Sequence, residues 1–407
     1  MKRIALLLLA VNTMITFGQF EKDQLTGEEK EEQKRVRLGA DFAMQYQILD
    51  HHGDSLIPLG KGFNLPTANL NLEATLAEGI EVSLTTYLSS RHHPEAWVKG
   101  GYLIIDELPF FKSEGVDRVM DYLTLKVGNM EINYGDAHFR RSDNGHVIRN
   151  PFVGNYIMDA FTTAFAAELM FRTDGWLAMG ALSNGTLRPD LVRYNAGSQV
   201  YTAYNTTDEL AYYWKLGYDN QFSDDLRLRL TVSGYHNPKH HFGSLYNAER
   251  AGSRYYLVMN RMNNSPNDVN IEMNHTSGNY GPGPTSQNNS IMLNLFGKFM
   301  GFEIFGTYEY MKGKSLGNSG LRFDQYAIEG LYRFGKEEQF YGGLRYNLVK
   351  NSNDQTVNRL QIGAGWFILE SIVLKVEYVD QNYNEFQSTF GADAGFDGLM
   401  VEAAVSF

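Results

Sequence analysis

The sequence predicts an all-β protein: a transmembrane antiparallel β-barrel of about 16 strands, with 18 as the alternative, short periplasmic turns and long extracellular loops. Three observations carry this. Long segments alternate apolar and polar residues with period two. The connections between them alternate between tight and long. The chain opens on an export-like segment and closes on an aromatic, Phe407.

Lys2 and Arg3 precede a short apolar core, Ile4 to Val11, and Thr16-Phe17-Gly18 supplies small residues before Gln19. Such a run is too short to span a bilayer and reads as a cleaved signal peptide over 1–18. Residues 19–35 include the charge run Glu21 to Lys34, which has no apolar face and reads as a solvated periplasmic lead-in. The barrel is expected over 36–407.

From Val36 the period changes to two. Val36, Leu38, Ala40, Phe42, Met44, Tyr46 and Ile48 alternate with mostly polar neighbours, a run well beyond the five or six residues usual in soluble sheets. A strand tilted across a bilayer needs roughly 9–11 residues. The same alternation predicts strands over 68–76, 80–88, 161–171, 210–222, 226–232, 291–299, 302–310, 326–334, 340–348, 360–368, 372–378 and 399–407. Weaker patterns fall near 97–106, 120–134 and 175–184. Tight connections are expected near 77–79, 172–175, 221–225, 298–301, 334–338 and 369–371. Long ones are expected at 50–66, 135–158, 185–208, 237–287, 313–321, 350–356 and 382–395. This asymmetry is the outer-membrane arrangement, with tight turns on the periplasmic side. The stretch 107–119 is a longer connection on that side. Two further strands, near 254–261 and 269–275, would raise the count to 18.

Composition agrees. Tyr 25, Phe 25 and Gly 40 are high and Pro is 10, as expected where half of each strand faces hydrocarbon and aromatic girdles mark both interfaces. No stretch of 18 or more apolar residues occurs, which excludes an α-helical membrane protein. The net charge of −11 argues against nucleic acid as a partner. With no cysteine there is no disulfide framework to read. Gly-x-Ser-x-Gly, His-Glu-x-x-His and phosphate-cradling loops are absent, so neither catalytic nor cofactor-binding residues are expected.

Several stretches resemble a porin family of diderm bacteria, Bacteroidetes-type and related to the phosphate-selective porins. They include Gly301-Phe-Glu-Ile-Phe-Gly-Thr-Tyr-Glu, Tyr332-Arg-Phe-Gly-Lys, Gly343-Leu-Arg-Tyr-Asn, Arg359-Leu-Gln-Ile-Gly-Ala-Gly-Trp-Phe and Lys375-Val-Glu-Tyr-Val. The terminal Val401-Glu-Ala-Ala-Val-Ser-Phe407 resembles the signal read by the barrel-assembly machinery. The resemblance implies a 16-stranded porin in the outer membrane, in contact with its lipid, often trimeric, with a loop folded into the pore.

Selectivity in such a barrel depends on lumen charges and on any constricting loop. The alternation points Arg37, Arg172, Lys215, Arg227, Arg229, Lys298, Arg333, Arg345, Arg359 and Lys375 inward. Against them stand Asp41, Glu73, Glu81, Glu168, Asp219, Glu303, Glu309, Glu329, Glu377 and Glu402, an evenly mixed wall. The loop 135–158 carries His138, Arg140, Arg141, His146 and Arg149, with Asp136 and Asp143 in partial compensation. These arginines either form an electropositive constriction or pair with wall carboxylates and pin the loop. Three histidine pairs, His51-His52, His92-His93 and His240-His241, could take a metal or haem if converged, although neighbours on an extended chain point apart and polar loop filler is the plainer reading. The expected function is passive diffusion of small hydrophilic solutes or ions, weakly selective or leaning to anions. The alternative is a structural or partner-binding barrel, a subunit of a larger envelope assembly, its lumen occluded by loops such as 237–287.

Overall fold

The computed structural model describes residues 36–407 except 65–66, 90–94, 143–145, 186–191, 196, 204–208, 241–244, 247–253, 263–275, 284 and 316–317. The expected signal and lead-in lie outside the described residues, as do His92, His93 and His241.

Sixteen antiparallel strands close into one barrel. They are β1 (Val36–His52), β2 (Thr67–Ala77), β3 (Ile80–Ser89), β4 (Glu95–Ile105), β5 (Leu123–Glu131), β6 (Thr163–Thr173), β7 (Trp176–Ser183) and β8 (Ala211–Ser223). They continue as β9 (Leu226–Asn237), β10 (Thr285–Phe299), β11 (Phe302–Ser315), β12 (Asn318–Phe334), β13 (Phe340–Asn351), β14 (Thr356–Leu369), β15 (Ile372–Asn384) and β16 (Ala394–Ser406). Each pairs with its neighbours in sequence, and β1 closes the ring against β16 in the register Asp41↔Ser406 to His52↔Gly395. Closure leaves no open edge whose N–H and C=O groups would face hydrocarbon. Phe407 seals the seam: its N–H donates to the Ala40 carbonyl and its own carbonyl accepts from Ala40.

The inversion of a membrane barrel is plain on single dipeptides. Leu344 is 55% exposed while Arg345 beside it is 2% exposed. Apolar side chains face outward and charges face the lumen on strand after strand. Aromatic rings girdle the periplasmic end, from Phe302 against Tyr332 (4.4 Å between centroids) through Phe334 and Phe340 to Trp366. Tyr308 and Tyr326, 5.0 Å apart, lie further along the same strands on the outer face. None of the described helices is long and apolar enough to cross a membrane.

The expected strand order is found, with two differences. The connection placed at 313–321 is only 316–317, because β11 and β12 run on past the apolar band as strands. Lys312, Lys314 and Arg322 erased the hydropathy alternation there without ending the ladder. The 18-strand alternative is set aside, since the ring closes with sixteen strands: near 254–261 there is only an isolated antiparallel bridge of Arg261 with Leu56, and 269–275 lies outside the described residues. The periplasmic connection between β4 and β5 carries a short helix, Glu114–Met120. The loop after β7 holds a small hairpin, Val192–Asn195 with Val200–Ala203.

Candidate functional site

The lumen is occupied by two inserted segments. The first, 132–162, joins β5 to β6 on the extracellular side and turns inward at once. Its neck is closed by the Ile132 N–H donating to the Thr162 carbonyl at 3.1 Å. Apart from a short 3-10 turn, Ala137–Arg140, its described residues form no regular structure, so their buried backbone groups need partners from elsewhere. The wall supplies them. Ser233 Oγ accepts from Gly135 N, and Asn294 Oδ1 from Asp136 N, both at 2.8 Å. Glu377 accepts from Val153 N and Asn347 from Ile157 N, both at 2.7 Å. Gln325 clamps both backbone groups of Met158. Arg345 donates to the Gly154 carbonyl at 2.8 Å, Arg359 to that of Asn155 at 2.6 Å, and Lys375 to that of Val147. Tyr134, Val147, Phe152, Val153, Ile157 and Phe161 are buried along the same segment.

Charge fixes the segment further. Asp136 receives Nε and Nη2 of Arg229, each at 2.8 Å, Thr231 Oγ1 at 2.7 Å and Lys215 Nζ at 3.1 Å. Burial alone would raise its pKa, but Arg229 and Lys215 hold it well below the usual carboxylate range. Arg141 Nε lies 2.8 and 2.9 Å from the two oxygens of Asp159. Arg140 lies 3.4 Å from Glu329 and 3.9 Å from Glu303, with its guanidinium 5.0 Å from the Phe305 ring centroid. His138 sits between Glu131 at 2.8 Å and Asn133 at 3.2 Å. Burial lowers its pKa and so favours the neutral ring, against the raising influence of Glu131.

The second inserted segment comes from the span between β9 and β10. Tyr246 donates to Glu309 at 2.7 Å, Tyr255 to Glu377 at 2.6 Å, and Arg254 to Glu402 at 2.8 Å. The Tyr256 backbone pairs with the Gln47 side chain, and the Gly278 carbonyl accepts from Arg359 and Gln381. The two segments touch at Gly154, where a Cβ would collide with the Tyr255 hydroxyl, so only glycine lets Tyr255 reach Glu377. Between the first segment and the wall is a cavity of about 20 Å³ bordered by Arg140, Arg141, Tyr156, Glu329 and Arg345. That is room for a water molecule.

Of the candidate residues, Arg345, Arg359, Glu303, Glu309 and Arg229 line the inner wall and are buried beneath the segments. Arg227 is nearer the periplasmic mouth, paired with Asp219 at 2.7 Å. Arg149 is largely buried, and burial pulls its pKa down against the opposing charge of Asp41. The described members of the histidine pairs do not come together as a metal site. His51 accepts from Met259 N at Nδ1 and faces the Ile57 carbonyl at Nε2 (2.6 Å), so both its nitrogens are engaged. His240 meets Thr285 at 2.6 Å. Among the described residues, nothing groups three metal-ligating side chains.

Sequence reasoning missed the central place of Asp136, the anchors Tyr246, Arg254 and Tyr255, and the row of inward amides. The amides were findable, since Asn294, Gln325, Asn347, Gln361 and Gln381 all fall on inward positions. The loop anchors carried no periodic signal.

No family model matches the chain, and no curated protein matches it. Solved structures of similar fold include OprB of Pseudomonas putida (8% identity, TM-score 0.55), covering 92% of this chain and 94% of that one. An anion-selective porin from Comamonas acidovorans is 10% identical with a TM-score of 0.53, over 91% of this chain and 99% of that one. The outer membrane channel DcaP of Acinetobacter baumannii is 10% identical with a TM-score of 0.51, over 91% and 97%. These likenesses establish the barrel fold, that of outer-membrane porins and channels.

Proposed function

We propose that the chain is a porin-type channel of the diderm outer membrane, through which small hydrophilic solutes or ions diffuse passively. The observation that carries this reading is the inversion of the wall: sixteen strands turn apolar side chains to lipid and place charges and amides around a common lumen. The similar folds named above, two of them titled porin or channel, support it. Water reaches the periplasmic mouth, where Arg37 and Glu73 are 59% and 25% exposed and pair at 3.2 Å. Passage beyond the mouth requires the inserted segments to yield, so conductance is expected to be small or gated.

Selectivity is proposed to be weak. Most inner cations face a carboxylate, so a phosphate-specific ladder finds little support. A lean toward anions rests on Arg140, whose guanidinium nitrogens are buried without a close hydrogen bond. A second reading, an occluded barrel serving as a structural or partner-binding subunit, is favoured by the tight filling of the lumen around the 20 Å³ cavity.

Planar-bilayer recording of the purified protein separates the two. Reproducible conductance steps that scale with salt concentration support the channel. Silence from barrels proven folded by heat-modifiable mobility supports the occluded subunit and overturns the channel.

A further inference from the structure

The outer face of β10–β13 carries a feature that the lumen does not need. Gly306 points outward in β11, and its cross-strand partners are Leu295 on β10 and Ile328 on β12. A Cβ built on Gly306 meets nothing within 4 Å. The missing side chain opens an apolar groove of about 320 Å³, bordered by Leu293, Leu295, Tyr308, Tyr326, Ile328 and Tyr346.

Six residues along β11, on the same face, Lys312 stands directly opposite Arg322 of β12. Lys314 follows two residues further on. Two cations in cross-strand register repel each other unless an anion lies between them. The acidic neighbour is Asp324, which accepts from Arg322 Nε at 2.9 Å and from the Tyr308 hydroxyl at 3.1 Å. On the adjoining strand, Lys350 pairs with Asp354 at 2.7 Å. The patch therefore keeps a net positive charge. From Gly306 to Lys312 the strand rises about 20 Å. At the usual tilt of about 40° this is about 15 Å along the membrane normal, half the hydrocarbon thickness of about 30 Å. The groove thus lies near mid-bilayer, and the cations lie at the extracellular headgroup level.

The geometry points to a docking site for one phosphorylated lipid of the outer leaflet. Lys312, Lys314 and Arg322 take its headgroup phosphate, and the groove at Gly306 takes an acyl chain. Arg322 already shares Asp324, and the phosphate supplies an anion to the Lys312 and Lys314 ammonium groups beside it. Absence of a side chain at 306 gives the chain a seat deeper than the flat barrel wall. This site depends on the barrel fold alone and is independent of whether the lumen conducts.

The test uses the full-length purified barrel and bis-phosphorylated lipid A, with retained adducts counted by native mass spectrometry. Wild type is expected to retain the lipid and to lose it at least tenfold more readily when the lipid is dephosphorylated. The double variant Lys312→Glu, Arg322→Glu is expected to weaken retention at least tenfold. Gly306→Leu fills the groove without meeting backbone and is expected to weaken it several-fold. Heat-modifiable mobility verifies that both variants are folded. Wild-type retention in either folded variant, or equal retention of the dephosphorylated lipid, overturns the proposal.

Discussion

The mouth and the interior of the lumen use the same chemistry with opposite consequences. At the periplasmic mouth Arg37 reaches Glu73 and Glu81 at 3.2 and 3.6 Å, all three partly exposed. Deeper in, Asp136, Arg229 and Lys215 make comparable contacts with almost no exposure. Pairs in water contribute little, typically no more than about 1 kcal/mol. A buried pair is different: its formation roughly offsets the cost of desolvation, while removing one partner leaves a bare charge and costs about 3–5 kcal/mol. The mouth can therefore change charge freely, whereas the interior is committed to one arrangement of the inserted segments.

The strongest way to break this contrast is Asp136→Ala, which takes the shared buried carboxylate from Lys215 and leaves Arg229 with Asp219. The expected loss is about 3–5 kcal/mol, read as a lowered denaturant midpoint in micelles, with new protease cuts in 132–162. Because the pKa of Asp136 is depressed, its stabilisation is complete above the ordinary carboxylate value of 3.8 and fades only as pH falls below it. Acidification should thus loosen the segment where neutral pH does not. Unchanged stability and cleavage in the variant would mean that the segment is held by packing alone.

Next in size is the double variant Arg140→Ala, Arg141→Ala. It removes two positive charges from the lumen while Glu329 keeps Arg345 and Glu303 keeps Arg333, so reversal potentials in a planar bilayer should move toward cation preference. Identical reversal potentials would remove these arginines from any role in selectivity. Smaller again is Tyr255→Phe, which deletes one hydroxyl bonded to Glu377 and Gln361. Loss of a hydrogen bond to a charged group costs about 1.5–3 kcal/mol. Hydrogen exchange should rise in the second inserted segment and leave β1 to β4 unaffected.

Legibility in the sequence follows the same division. Strands were readable because the bilayer imposes period two over a fixed length, and Leu344-Arg345 is decided by alternation alone. Where the membrane ends, so does the signal: Lys312 and Arg322 belong to strands but read as loop. Parity puts Glu329, Arg345 and Glu377 on the inner face, and all three are buried. Their partners were not readable in this way, since Asp136, Gly154 and Tyr255 find the wall through tertiary contacts, and no local spacing encodes which carboxylate a loop tyrosine will meet.

The smallest expected effect sharpens the comparison from its other side. Glu73→Gln removes one charge from the mouth, where Glu73 faces Arg37 at 3.2 Å and is 25% exposed. Water replaces the lost partner, so stability should change by less than about 1 kcal/mol, with no new cuts in either inserted segment. If ions pass this mouth, however, loss of the Glu73 carboxylate makes their path one charge more positive, with Arg37 still beside Glu81. The influence of that charge extends about 10 Å at 0.1 M salt and about 3 Å at 1 M. A small shift toward anions at low salt, vanishing at high salt, is therefore expected in the reversal potential. A stability loss as large as that of Asp136→Ala would show that the mouth is as tightly committed as the interior, and the contrast between them would fail.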